Sequence, residues 1–232
     1  MKKTVGIIGG MGPQATIDLF QKIVTNTVSN SDNEHIHVLI DNNTDIPDRT
    51  KAILENSDLP LKYLSDSAKK LESIGADFLA VPCNTAHFFY DRLSKQVNIP
   101  ILNMIEETAK YLKSRNETKL VLLATTGTIK TQIYQNIFNK YGLEIIIPDT
   151  DFQNEIMSAI YDFVKKGKAY PRANKFKRYL DTLLQNNVDN IILGCTELPI
   201  LFKNNQLEYK LVDPTLVLAK KIIIEAGYKL IN

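Results

Sequence analysis

Six short apolar runs punctuate this chain, and most break into small or polar residues just before a helix-like stretch begins. They are TVGIIGG (4–10), HIHVLIDN (35–42), ADFLAVP (76–82), KLVLLATTGT (119–128), LEIIIP (143–148) and DNIILGC (189–195). Runs this short and continuously apolar read as buried strands. Between them lie segments with helical periodicity: QATIDLFQKIVTNTV, Leu61 to Ile74, TQIYQNIFNKYG, NEIMSAIYDFVKKG and roughly 173–186. IPILNMIEETAKYLKS (99–114) reads as a short strand turning into a helix, and DPTLVLAKKIIIEAGYKL as a closing helix starting near Pro214. Strands alternating with helices predict parallel βαβ units with helices on both faces of each sheet.

The pattern restarts at residue 119. TVGIIGG and KLVLLATTGT both open into small residues, and each is followed at similar distance by a strand ending in a cysteine turn. Gly9 precedes Cys83 by 74 residues and Thr125 precedes Cys195 by 70. The order of elements matches although identity between the halves is low, which predicts a duplicated α/β fold. The expected architecture is two pseudo-symmetric lobes, each a parallel sheet flanked by helices, with the active site in the cleft between them. The expected boundaries are 1–98 plus 213–232 for the lobe carrying Cys83, and 99–212 for the lobe carrying Cys195.

Composition narrows the function classes. Of the 232 residues, 28 are Lys or Arg and 26 Asp or Glu, so the near-neutral balance gives no general pull toward nucleic acid or anionic membrane. Gly9, Gly10 and Pro13 interrupt the N-terminal apolar run before a signal-peptide core forms, and no window approaches the ~18 apolar residues of a membrane span. Two cysteines make no disulfide framework for a chain this size and point to a reducing cytoplasm.

Ligands of parallel α/β sheets gather beyond the carboxyl ends of the strands. The turns there are GGMGP, DNNTDIPDRT, PCNTAH, TTGT and GCTE. A lone cysteine is usually a small buried hydrophobe. Two at equivalent strand ends, one followed by Asn84-Thr85 and the other by Thr196, suggest a pair of chemical tools. A thiol is a usable acid or base near neutral pH, because cationic neighbours or a helix N-terminus lower its pKa from about 8.5. The amide and hydroxyl groups beside it can donate to a carboxylate.

VPCNTAH, GCTE, GGMGPQAT and NNTDIPDRT, together with MIEETAK, LLATTGTI and IYDFVKKG, resemble the aspartate racemases of the cofactor-independent aspartate/glutamate racemase family, in order over nearly the whole chain. The resemblance implies a homodimeric racemase that uses neither pyridoxal phosphate nor metal. It implies that Cys83 and Cys195 act from opposite faces of the amino acid, Cys195 on the L isomer and Cys83 on the D isomer. It assigns the α-carboxylate to Asn84, Thr85, Thr126 and Thr196, the pocket wall to Met11 and Gly12, and the side-chain carboxylate to Arg49 and Lys165. A guanidinium suits that task because its planar fork meets a carboxylate bidentately. Lys165 has two near rivals, Lys166 and Lys168. Glu197 stands where glutamate racemases carry histidine, which favours the aspartate branch; it orients a thiol or the substrate ammonium, or caps a helix. His87 is expected to be structural.

The alternatives are concrete. Gly10-x-Gly12-x-x-Ala15 fits a dinucleotide-binding turn, so an NAD(P)-dependent oxidoreductase is one rival, although Pro13 removes a backbone donor and both cysteines go unexplained. A racemase of broader acidic specificity, an amino-acid-binding protein, and a decarboxylase or cis–trans isomerase on the same fold are others. His35-x-His37 would put two imidazoles on one strand face, but no third metal ligand is evident.

Overall fold

The computed structural model describes residues 2–185 and 188–231. The chain divides into two compact units, residues 1–107 with 215–232 and residues 108–214. The first contains β1 (Val5–Gly9), α1 (Pro13–Asn26), β2 (Val38–Asn42), α2 (Arg49–Leu54), α3 (Leu59–Ser73), β3 (Phe78–Ala80) and α4 (Tyr90–Leu93). One boundary falls within α5 (Met104–Ser114). The second unit follows with β4 (Lys119–Ala124), α6 (Thr126–Lys130), α7 (Ile133–Phe138), β5 (Glu144–Ile146), α8 (Thr150–Ser158), α9 (Ala173–Leu184), β6 (Asn190–Gly194), α10 (Leu198–Asn204) and β7 (Leu211–Val212). The last helix, α11 (Pro214–Glu225), belongs almost wholly to the first unit.

Each unit is a parallel sheet with helices against it. The first has strand order β2-β1-β3, with Val5 opposite Val38 on one side and Phe78 on the other. Ile101 extends that sheet by one parallel bridge to Leu79. The second has order β5-β4-β6-β7, all parallel. The two orders are the same once Ile101 is set beside β7, which is the topological form of the internal repeat.

The central strands are apolar because both faces are covered. β1 is buried throughout, and its pleat sends Val5 and Ile7 to one core and Ile8 to another. The first core is closed by Leu19 and Ile23 of α1 and by Leu218 and Ile222 of α11. The second is closed by Leu64, Ala68 and Leu71, which fall on one face of α3 at helical spacing. Each fully buried leucine of this kind contributes about 1.5–3 kcal/mol relative to an exposed one. The second unit has its own core, in which Phe152, Phe176 and Phe202 surround β4 and β6.

Several expectations needed correction. HIHVLIDN forms a strand only from Val38, and this edge strand leaves Ile40 42% exposed rather than covering it on both faces. The strand expected in IPILN is the single Ile101 bridge. NEIMSAIYDFVKKG is not one α-helix: α8 ends at Ser158, a π turn covers Ala159–Phe163, and a 3-10 turn covers Val164–Lys166. α9 stops at Leu184; Asn186, its expected last residue, lies outside the described residues. Among the described residues no helix is long and apolar enough to cross a membrane.

Candidate active site

In the first unit, three turns beyond the strand ends are tied together. Gly10 follows β1 with φ +89°, and a Cβ there would lie 2.2 Å from the Asn43 carbonyl oxygen, so only glycine lets the β1 turn press against the β2 turn. The Gly10 N–H donates to Thr16 Oγ1 (3.0 Å), and Gly12 caps α1 with Pro13 at its first position. Nothing would lie within 4 Å of a Cβ on Gly12, so that side of the turn is open.

Met11 is 3% exposed, and its carbonyl accepts from Arg49 Nη2 at 3.1 Å. Arg49 Nη1 donates to the carbonyls of Ile46 and Pro47 at 3.1 and 3.0 Å. The fork expected to meet a carboxylate is therefore also the clip that holds the Met11 turn to the start of α2. Asp48 caps that helix by accepting from the Lys51 N–H at 2.8 Å, which fixes the Arg49 backbone.

Cys83 lies three residues past β3. It is a free thiol, 6% exposed, in the same apolar cluster as Met11. Asn84 and Thr85, also buried, lead into a 3-10 turn, Thr85–Phe89. His87 in that turn lies 2.9 Å from the Cys83 carbonyl through Nδ1, and its Nε2 accepts the Met104 N–H at 3.1 Å. These two bonds assign the proton to Nδ1, which donates. Burial pushes the His87 pKa down to about 4, so the ring is neutral and ties the cysteine turn to the first residue of α5. The structural role expected of His87 is thereby specified. His35 and His37 precede β2, where Ser29 Oγ (2.8 Å to His35 Nε2) and Thr4 Oγ1 (3.3 Å to His37 Nδ1) engage them.

In the second unit, Cys195 follows β6 directly. It is a free thiol, 7% exposed, and its Sγ donates to Glu197 Oε2 at 2.9 Å. Thr196 Oγ1 donates to the same oxygen at 3.2 Å. Glu197 precedes α10 but makes no capping bond with its side chain, so of the three roles open for it the cap drops out and the thiol bond is the one formed here. Burial, then the Glu197 charge and hydrogen bond, push the Cys195 thiol well above its ordinary range, while Lys165 pulls it down. Cys195 therefore rests as a thiol.

Lys165 is exposed, with Nζ 4.2 Å from the Tyr161 ring centroid, whereas Lys166 pairs with Asp162 at 3.4 Å. The Lys165 charge is among the leading influences on Cys195. At the end of β4, Thr125 caps α6, and the Thr126 N–H donates to Met157 Sδ at 3.2 Å. Gln153 Nε2 donates to the Ala124 carbonyl (3.0 Å) and to Thr126 Oγ1 (3.4 Å). Gln153 was not anticipated. Nor was Tyr134, a fully buried phenol raised well above 10 by burial, with Asp213 and Cys195 adding to the effect. Both are ordinary helix residues, Gln153 on α8 and Tyr134 on α7, where nothing local separates a site residue from a packing residue.

The family model for Asp/Glu/hydantoin racemases matches residues 8–222. The chain belongs to this family. An oxidoreductase on the Gly10 turn does not fit it, and the close approach Gly10 permits is taken by the chain's own Asn43. Within the family's reach, the chain is 29% identical over 225 residues to the broad specificity amino-acid racemase RacX of Bacillus subtilis (strain 168), covering 94% of this chain and 96% of that one. The solved structure of Picrophilus torridus aspartate racemase superposes with a TM-score of 0.79 at 33% identity, covering 99% of this chain and 96% of the other. An aspartate racemase homologue from Pyrococcus horikoshii OT3 gives 0.78 at 26% identity, over 98% and 100%.

Proposed function

We propose that this member of the racemase family interconverts L- and D-aspartate without a cofactor, by proton transfer between two thiols and the α-carbon. The observation that carries this reading is the matched placement of Cys83 and Cys195. Each follows the strand that pairs with the first strand of its own sheet, and the two sheets share one strand order. A thiolate removes the α-proton from one face while the second thiol delivers a proton to the other. The C–H bond breaks, a new C–H bond forms, and the proton count on the two sulfurs is exchanged.

Cys195 rests as the protonated partner and so begins as the acid that delivers a proton to the α-carbon when Cys83 takes the α-proton of the D isomer. In the opposite direction Cys195 gives its proton to Glu197, already the acceptor of that hydrogen bond, and Cys83 takes one from solvent so that it can deliver it to the α-carbon. Asn84, Thr85, Thr126 and Thr196 hold the α-carboxylate, with Met11 and Gly12 as the wall beside it. Arg49 and Lys165 supply the positive charge for the side-chain carboxylate, Arg49 as a charge fixed by its backbone bonds. The active protein is a cytoplasmic homodimer in this reading.

The test is incubation of purified protein with L-aspartate, L-glutamate and neutral L-amino acids, no cofactor added, followed by chiral chromatography. D-aspartate is expected to form fastest. Activity on none of the acidic amino acids would sink the assignment. A broad specificity is the second reading, favoured by the likeness to RacX over 94% of the chain; comparable rates on neutral amino acids would select it.

A further inference from the structure

Glu155 lies on α8 and is 6% exposed, yet three donors from one short stretch of chain converge on it. Its Oε1 accepts from Tyr170 Oη and from Arg172 Nε, each at 2.5 Å, and its Oε2 from Lys175 Nζ at 2.8 Å. Arg172 Nη2 also donates to Ser158 Oγ at 2.9 Å, and Ser158 Oγ donates to Asp162 Oδ2 at 3.0 Å. The guanidinium carbon stands 5.3 Å from the Phe163 ring centroid and 5.4 Å from that of Tyr170, and the two rings meet edge to face at 5.5 Å. A carboxylate with two cationic donors and a phenol stays ionised, and its pKa is drawn down to about 2 against the cost of burial.

The hub closes a loop. Glu155 stands just before the π turn Ala159–Phe163, and Tyr170, Arg172 and Lys175 come just after the 3-10 turn Val164–Lys166 and Gly167 (φ +65°). Lys165 sits on that 3-10 turn. The π turn and the 3-10 turn break the α-helical ladder, and the Glu155 hub adds side-chain ties across the two ends of the segment. Lys165 is exposed, and its ammonium lies over the Tyr161 ring of the π turn at 4.2 Å.

We infer that Glu155 is a positioning residue for the reaction, closing the loop over residues 159–172 so that the Lys165 ammonium is held in place. This rests on the proposed substrate role of Lys165. Glu155 itself touches no substrate. Its effect is exerted through Arg172 and Tyr170 on the loop path.

The test is a double-mutant cycle of Glu155→Gln, Lys165→Gln and the pair, with two readouts. One is KM and kcat for aspartate; the other is the pH dependence of Cys195 alkylation by iodoacetamide, followed on its peptide by mass spectrometry. E155Q should raise KM about tenfold, as loss of one charged contact would, with a smaller change in kcat. It should also slow Cys195 alkylation at a given pH, as K165Q does, and the pair should be no worse than K165Q alone. Additive effects of the two substitutions would overturn the inference, as would an E155Q protein that is less stable but keeps the wild-type alkylation profile. If K165Q leaves KM unchanged, the substrate role of Lys165 fails by itself, and the alkylation cycle still decides whether Glu155 holds Lys165 near Cys195. Should E155Q not fold, Tyr170→Phe and Arg172→Lys each remove one tie and should move both readouts the same way by smaller factors; no movement in either would overturn the inference.

Discussion

His87 offers a stability signature that follows from its burial. The folded ring is neutral with a pKa near 4, against an ordinary value of 6.5, because it is buried. Between those values the unfolded chain binds a proton that the folded one does not, so stability falls as pH falls from 6.5 to 4 and is unaffected above 6.5. At about 1.4 kcal/mol per pH unit this gap comes to about 3 kcal/mol. His87→Asn removes the titration and keeps a donor near Nδ1, but takes from the Met104 N–H its Nε2 acceptor. At pH 7 the variant should be less stable by about 1–3 kcal/mol, the cost of disrupting a buried hydrogen bond. Urea unfolding of both proteins at pH 7, 6, 5 and 4.5 measures the difference. It should shrink steadily on acidification and approach zero or reverse near pH 4.5. Carboxylates elsewhere, Glu155 among them, act alike in both proteins and cancel. Parallel stability curves over this range would refute the claim that a neutral His87 pins the Cys83 turn.

Glu197→Gln removes the charge that helps hold Cys195 protonated, so the thiol pKa should fall and alkylation of Cys195 at pH 7.5 should quicken while racemisation slows; slower alkylation would contradict the Cys195–Glu197 bond. Gly10→Ala forces a Cβ to within 2.2 Å of the Asn43 carbonyl at a left-handed φ and should destabilise the fold by about 1–3 kcal/mol; an unchanged thermal midpoint would show that the two turns are not locked together. Lys165→Met should raise KM for aspartate where Lys166→Met, removing a surface pair with Asp162, leaves it near wild type; steady-state kinetics with equal effects would remove the distinction drawn between the two lysines.

What the sequence made legible tracks how locally each feature is determined. β1, β4 and β6 could be read because central strands of a parallel sheet are covered on both faces and so stay apolar without alternation. β2 was overrun at its start because an edge strand has one uncovered side and His35 and His37 look no different from its continuation. β7 is two residues long, and α2 and α10 are short helices beside motifs that read as turns, so none left a periodic signal. The cysteines and their Asn and Thr neighbours were legible from the rule about strand ends. Glu197 was legible as a residue but not in its role, since the choice among thiol, substrate ammonium and helix cap is a matter of side-chain direction. Glu155, Gln153 and Tyr134 were invisible for a related reason: each is an ordinary helix residue until the segment it meets, 15 or more positions away, is folded against it.

The central claim is that two thiols act on opposite faces of the α-carbon. Its most direct test is racemisation of L-aspartate in D2O, with deuterium followed separately in each enantiomer at early conversion. The account predicts that newly formed D-aspartate carries α-deuterium while unreacted L-aspartate does not, and that Cys83→Ala and Cys195→Ala each abolish racemisation. Deuterium entering unreacted L-aspartate as fast as D-aspartate forms, or a single-cysteine variant that racemises at the wild-type rate, would contradict it.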